Sequence, residues 1–154
     1  MQKIIPNLWF QGNAKEAVSY YKKIFKEFKL IKTYYYPKSG LANFQKDFAG
    51  KVLTIEFELF KQRFIAINAG NEFTFNEAIS LLIVCKDQSE IDYYWNALTK
   101  DGGEESVCGW LKDKYGLSWQ VAPEGIDELV QDPVVFGKMM GMKKIVIKEL
   151  KNEE

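Results

Sequence analysis

The same order of element types occurs twice along this chain, and that repetition constrains the fold more than any single motif does. In the first half, Lys3 to Phe10 is short, apolar and closed by the turn residues "QGN", which predicts a strand. Behind Asn13 as an N-cap, Ala14 to Phe28 places Ala17, Val18, Tyr21, Ile24, Phe25 and Phe28 on one helical face. Lys15, Glu16, Lys22, Lys23 and Lys26 supply the wet face of that helix. Lys29 to Tyr36 is β-branched and aromatic and stops at Pro37, a second strand. Val52 to Leu59 and Arg63 to Ala69 alternate on either side of Lys61-Gln62, which predicts a hairpin. The order then restarts: a strand from Asn76 to Cys85, then a helix from Ser89 to Lys100, capped by Ser89 and ended by "DGG". Three shorter strands follow, Glu104 to Cys108, Trp110 to Lys112 and Leu117 to Val121, joined by turns at Gly109 and Gly116.

A helix covers only one face of a small sheet, so each module leaves its other face open until something packs on it. The expectation is therefore an α+β fold of two βαβββ modules, 1–70 and 76–123, forming a curved, partly open mixed sheet with a central cleft. At 154 residues the default is one domain over 1–154. Beyond Pro123 the pattern becomes helical, and 124–154 reads as a tail of short helices interrupted at Gly137 and Gly141. Met139, Met140 and Met142 within it suit gap-filling core or a flexible ligand wall. The segment "PKSGLANFQKDFAGK" reads as a loop whose Phe44 and Phe48 pack down, either as plain structure or as a lid.

Charge narrows the partners. Lys plus Arg and Asp plus Glu number 21 each, which gives no field for nucleic acid or anionic membranes. No apolar run approaches the roughly 18 residues of a membrane span, and no leader pattern opens the chain. Cys85 and Cys108 lack metal or redox spacing and are expected as reduced thiols, consistent with a cytoplasmic protein. Aromatic residues make up 15% of the chain, enough for an aromatic-lined pocket or a large packed interface. Histidine is absent altogether, which removes the commonest metal ligand and proton shuttle.

The doubled βαβββ order, with "PNLWFQGNAKEAVSYYKKIF" in the first module and "FNEAISLLIVCKDQSEIDYYWNAL" and "GWLKDKYGLSWQVAP" in the second, resembles the PhnB-like branch of the vicinal oxygen chelate superfamily. Within that branch it is most similar to the group labelled 3-demethylubiquinone-9 3-methyltransferase. In metal-dependent relatives, a His on the first strand and a carboxylate on the last strand of each module meet in the cleft. The family's closing motif, Asp-Pro-x-Gly-x-x-x-Glu, is similar to the stretch from Asp113 to Gln120, which puts Gln120 at the carboxylate position. Counting back from Asp87 puts Ser80 at the second-module His position; Asn7 or Trp9 falls near the first-module His and Asn68 near its carboxylate.

Amide and hydroxyl oxygens hold a divalent transition metal weakly, so the resemblance implies the scaffold without its standard metal site and without a cofactor. Glu56, Glu58 and Glu72 are the remaining carboxylates for an oxygen site, although Glu56 and Glu58 share a strand face and more simply point to water. The expected ligand-binding cleft is Asn7, Trp9, Asn68, Ser80, Trp110 and Gln120, polar but uncharged, with Trp119 either beside it or in the core. That set suits a small organic ligand, and the implied function is metal-free binding by a homodimer. The alternatives are an enzyme, including the methyltransferase of the family label, and a structural or regulatory dimer whose cleft is filled by Trp9 and Trp119. No G-x-G-x-G turn is present to hold a nucleoside cofactor.

Overall fold

In the computed structural model, which describes residues 1–152, strand β1 (Asn7–Gln11) begins after Pro6 rather than at Lys3. Its ladder partner β4 (Gln62–Ala69) runs parallel to it from Asn7↔Ile65 to Gln11↔Ala69, and Ile4 lies exposed before that register starts. Strand β2 (Phe28–Tyr35) and strand β3 (Val52–Leu59) complete a mixed sheet in the order β1-β4-β3-β2. Helix α1 (Ala14–Ile24) lies on one face of it.

The helix stops short of the predicted Phe28. Phe25 leaves helical geometry at φ −92° and ψ 116°, and Phe28 instead pairs with Leu59 and stacks on Phe57 at 5.9 Å. An aromatic needed by the sheet is thereby withdrawn from the helix. Asn13 sits at the N-cap but makes no side-chain capping bond. Asn68 does that work from β4: its Oδ1 accepts from the Ala14 N–H at 3.1 Å and its Nδ2 donates to the Val52 carbonyl at 2.9 Å. Between Tyr35 and Val52 the chain forms a 3-10 helix (Asn43–Phe48), with Phe48 stacked on Tyr36 and Phe44 in solvent.

The second sheet, built from β5 (Leu81–Cys85), β6 (Glu104–Glu105), β7 (Trp110–Lys112) and β8 (Ser118–Pro123), repeats the first in topology, order β5-β8-β7-β6, with β5 parallel to β8. Strand β5 (Leu81–Cys85) is shorter than the predicted Asn76–Cys85, because Leu81 already faces Trp119 near the start of its partner. The preceding residues turn instead, the Ala78 N–H donating to Asn76 Oδ1. Helix α2 (Gln88–Thr99) is capped by Asp87, not Ser89: the Asp87 carboxylate accepts from the Glu90 N–H at 2.9 Å. An acidic cap also complements the positive end of the helix dipole. Strand β6 is only Glu104–Glu105, strand β7 is Trp110–Lys112 as expected, and strand β8 is Ser118–Pro123.

Three short helices follow: α3 (Ile126–Leu129), α4 (Pro133–Met140) and α5 (Ile147–Lys151). Helix α4 runs through Gly137, the predicted interruption, and ends at Gly141. Two compact units result, Met1–Thr74 and the chain from Phe75 onward, so the tail belongs to the second unit. Ile145 and Leu150 are fully buried there with Ala122. The tail is tied down by backbone bonds from the Cys108 and Gly109 N–H groups to the Met142 and Lys143 carbonyls, both 2.8 Å. Gln88 grips it from α2, donating to the Ile145 carbonyl and accepting from the Ile147 N–H. Gly109 is required at this join: its φ is +79°, and a Cβ would stand 2.7 Å from the Val121 carbonyl and 2.9 Å from Ile145 Cδ1.

The β7–β8 turn is organised by Asp113. Its buried carboxylate accepts from the Tyr115 and Leu117 N–H groups at 2.8 and 3.2 Å and from Trp119 Nε1 at 2.9 Å. Hydrogen bonds to an ionised group contribute about 1.5–3 kcal/mol each. Asp113→Ala should therefore destabilise the protein by about 3 kcal/mol or more in urea unfolding. A loss under about 1 kcal/mol would show that the turn forms without the carboxylate.

Candidate functional site

Strand alternation decides which candidates can meet a ligand. In the first unit, Leu8 and Phe10 of β1, Ile55, Phe57 and Leu59 of β3, and Phe64 and Ala66 of β4 are buried on the α1 side. The opposite, open face carries Asn7 and Trp9 beside Ile65 and Ile67, then Glu56 and Thr54 of β3, then Lys32 and Tyr34 of β2. Asn7 and Trp9 are thus on the face expected of them. Asn68 is not: it shares parity with Phe64 and Ala66 and is buried against α1, where both ends of its amide serve the backbone. The residue that the resemblance put near a carboxylate position is a helix clamp.

Trp9 is held rigidly. Its Nε1 donates to the Gly70 carbonyl at 2.9 Å, and Phe73 packs on it edge to face at 4.8 Å. Asn7 Nδ2 donates to the Ile5 carbonyl, and Gln11 Nε2 to that of Phe73. The carboxylates here are spoken for in part: Glu56 pairs with Arg63 at 3.0 Å. Glu72 lies close enough to Tyr36 to raise its hydroxyl pKa, second to burial as a cause, and that hydroxyl donates to the Asn68 carbonyl. Among the described residues, no group of three or more His, Cys, Asp or Glu side chains is placed to hold a metal ion.

In the second unit, Ile83 and Cys85 of β5, Leu111 of β7, and Trp119 and Val121 of β8 are buried on the α2 side with Ile91, Tyr94, Trp95 and Leu98. Trp119 is therefore core. The open face carries Leu82 and Val84, then Ser118 and Gln120, then Trp110 and Lys112. Ser80 lies just before β5, outside the ladder, and its Oγ accepts from Gln120 Nε2 at 2.8 Å. The two residues that the resemblance placed at the His and carboxylate positions thus touch one another.

Beside them opens a pocket of about 500 Å³, which contains Trp110 together with residues the sequence reading missed or left open: Glu77, Cys108, Lys112, Ser118, Met139 and Met140. The parity signal for Ser118 and Lys112 was present, since each lies two residues from a candidate on the same strand. The contribution of α4 was not readable, because it depends on how the tail docks. Glu77 and Lys112 form an ion pair that lowers the Glu77 pKa and raises that of Lys112, in each case mainly through their hydrogen bond. Cys108 Sγ lies 3.4 Å from Met140 Sδ.

A family model described as 3-demethylubiquinone-9 3-methyltransferase matches residues 2–122. The chain belongs to that family, the PhnB group, within the vicinal oxygen chelate superfamily. A solved PhnB protein from Bacillus cereus is 32% identical with a TM-score of 0.67, over 79% of this chain and 99% of that one. Protein PA1353 from Pseudomonas aeruginosa shares the fold at 20% identity and a TM-score of 0.64, over 80% and 98% of the two chains. So does the fosfomycin resistance protein FosX from Listeria monocytogenes, solved with Mn(II) and sulfate, at 10% identity and 0.57, over 85% and 98%. Comparison with curated proteins gave no match. Helices α3 to α5 lie outside the family-matched residues, and no described helix is long and apolar enough to cross a membrane.

The groups that such a family implies can be tested against these residues. A divalent transition metal finds a neutral amide and a hydroxyl at Gln120 and Ser80, already bonded to each other, and the donor set does not fit it. A nucleoside methyl donor fares no better. The β1–α1 turn has a single glycine, Gly12, and the first N–H of α1 is taken by Asn68.

Of the two free thiols, Cys85 is inert at neutral pH: burial pushes it up to about 12, with Glu90 and Asp87 adding repulsion. A folded thiol held above its unfolded value near 8.5 contributes stability below that pH and loses it as pH rises toward 12. At pH 8, a chromogenic disulfide reagent should therefore label Cys108 in the native protein and reach Cys85 only on unfolding. Two fast-reacting thiols would contradict the burial of Cys85.

Proposed function

We propose that the protein is a metal-free small-molecule-binding member of the PhnB group, with the open sheet face of each unit as a candidate ligand surface, Asn7 and Trp9 on the first and Trp110 and Gln120 on the second. The observation that carries this reading is the Ser80–Gln120 pair. Where the resemblance implies a charged metal-binding pair, the chain places two neutral groups that satisfy each other. A rigid indole at Trp9 and the pocket at Trp110 add stacking surface suited to organic molecules. The methyltransferase reading lacks a cofactor cradle. The vestigial-cleft reading loses Trp119, which fills the helix side of its sheet instead.

Calorimetric titration with zinc, nickel and manganese should give no stoichiometric binding, and a tight site would sink the proposal. Native mass spectrometry of the purified protein should find a retained organic molecule whose occupancy falls in Gln120→Ala. Quenching of tryptophan emission by S-adenosylmethionine would favour the enzyme instead.

The same reading includes a homodimer working in a reducing cytoplasm. Its support is the β2 edge, where Leu30, Ile31, Tyr34 and Tyr35 are exposed together, and the presence of two unpaired thiols. Sedimentation equilibrium should return twice the 17.9 kDa chain mass, and Tyr35→Lys with Leu30→Lys should shift it toward the monomer. A wild-type monomer at micromolar concentration would remove the dimer from the proposal.

A further inference from the structure

Ser118 presents an unsolved accounting problem inside the second unit. It is buried, it lines the pocket of about 500 Å³, and its Oγ has no hydrogen-bond partner. A hydroxyl shut away from water without a partner is costly, so native structures rarely keep one unless something from outside completes it. The pocket volume lies within the range of small-molecule sites, roughly 300–1,000 Å³.

The rest of the lining says what kind of molecule would complete it. Trp110 offers an indole face, while Cys108, Met139 and Met140 supply soft, polarisable sulfur. The charges present, Glu77 and Lys112, neutralise one another as an ion pair and leave no unpaired charge to call for an ionic ligand. Met139 and Met140 stand on α4, outside the family-matched residues, and are held there by the backbone bonds from Cys108 and Gly109.

We propose that this pocket binds a neutral, flat, polarisable ring compound carrying one hydrogen-bonding oxygen. That oxygen bonds Ser118 Oγ, the side chains that cover the hydroxyl shifting to admit it, and the ring lies against Trp110 and the two methionines. The proposal rests on the small-molecule-binding reading above and adds to it a position and a ligand class.

The test uses 1-naphthol and naphthalene as probes, with ligand-observed NMR titration of the full chain. The wild type should prefer 1-naphthol by roughly fivefold, the worth of one ordinary hydrogen bond. Ser118→Ala should bind the two probes equally, and without ligand its Tm should be no lower than that of the wild type, because the lost hydroxyl had no partner. Met140→Asp, at an exposed position, should weaken both probes.

No binding of 1-naphthol to the wild type overturns the proposal, as does an unchanged preference in Ser118→Ala or a lowered Tm in that variant. Binding that survives Ser118→Ala and Met140→Asp but fails in Gln120→Ala overturns it and leaves the small-molecule reading in place. Absence of both probe binding and any retained molecule in native mass spectrometry removes the two together.

Discussion

The Asp113 carboxylate fixes the geometry on which the second unit depends. By accepting from two backbone N–H groups and the Trp119 indole, it sets the phase of strand β8 as it leaves the turn. A slip of one residue would exchange the two faces, putting Trp119 in the open and Gln120 in the core. The bonded Ser80–Gln120 pair, the Leu111–Trp119 contact and the position of Ser118 in its pocket all follow from that one phase. A buried acid is costly unless fully satisfied, and here backbone and side-chain donors share the task.

The first unit reaches the same topology with different means. Its β3–β4 turn has Phe60 and Lys61 in left-handed conformations, and no buried acid organises it. Asn68 supplies the internal polar anchor, joining β4 to the start of α1 and to β3. Each module therefore spends one polar side chain on holding its helix or turn in register. In the first module that side chain occupies a position the resemblance had linked to chemistry. Identical topology does not make matched positions equivalent in role.

Much of this was legible in the residues. The doubled order of elements, the hairpin of β3 and β4 and the strand Trp110–Lys112 follow from period-two and helical patterning, which also sets Trp119 and Gln120 on opposite faces without saying which of them is core. The errors have local causes. Phe28 continued a helical spacing, but a sheet partner, Phe57, won it; Ser89 is a good cap by type, but Asp87 was better placed to accept from Glu90. The face of Asn68 is not specified by the sequence, because the last strand of the first module has no turn motif to pin its phase. The tail-walled pocket was invisible for a different reason: it depends on contacts between segments far apart in sequence, and no periodicity encodes where Met139 and Met140 come to rest.

The burial of Ile145 and Leu150 has a consequence for how the chain is made. The first unit has all its buried residues by Ala69, so its core can close while the remainder is still being synthesised. The second cannot do the same, since part of its core arrives some thirty residues after its last strand begins. Until Leu150 clears the ribosome, Ala122 and the Gly109 join remain uncovered, and the nascent second unit presents an apolar surface that has to be kept from neighbouring chains.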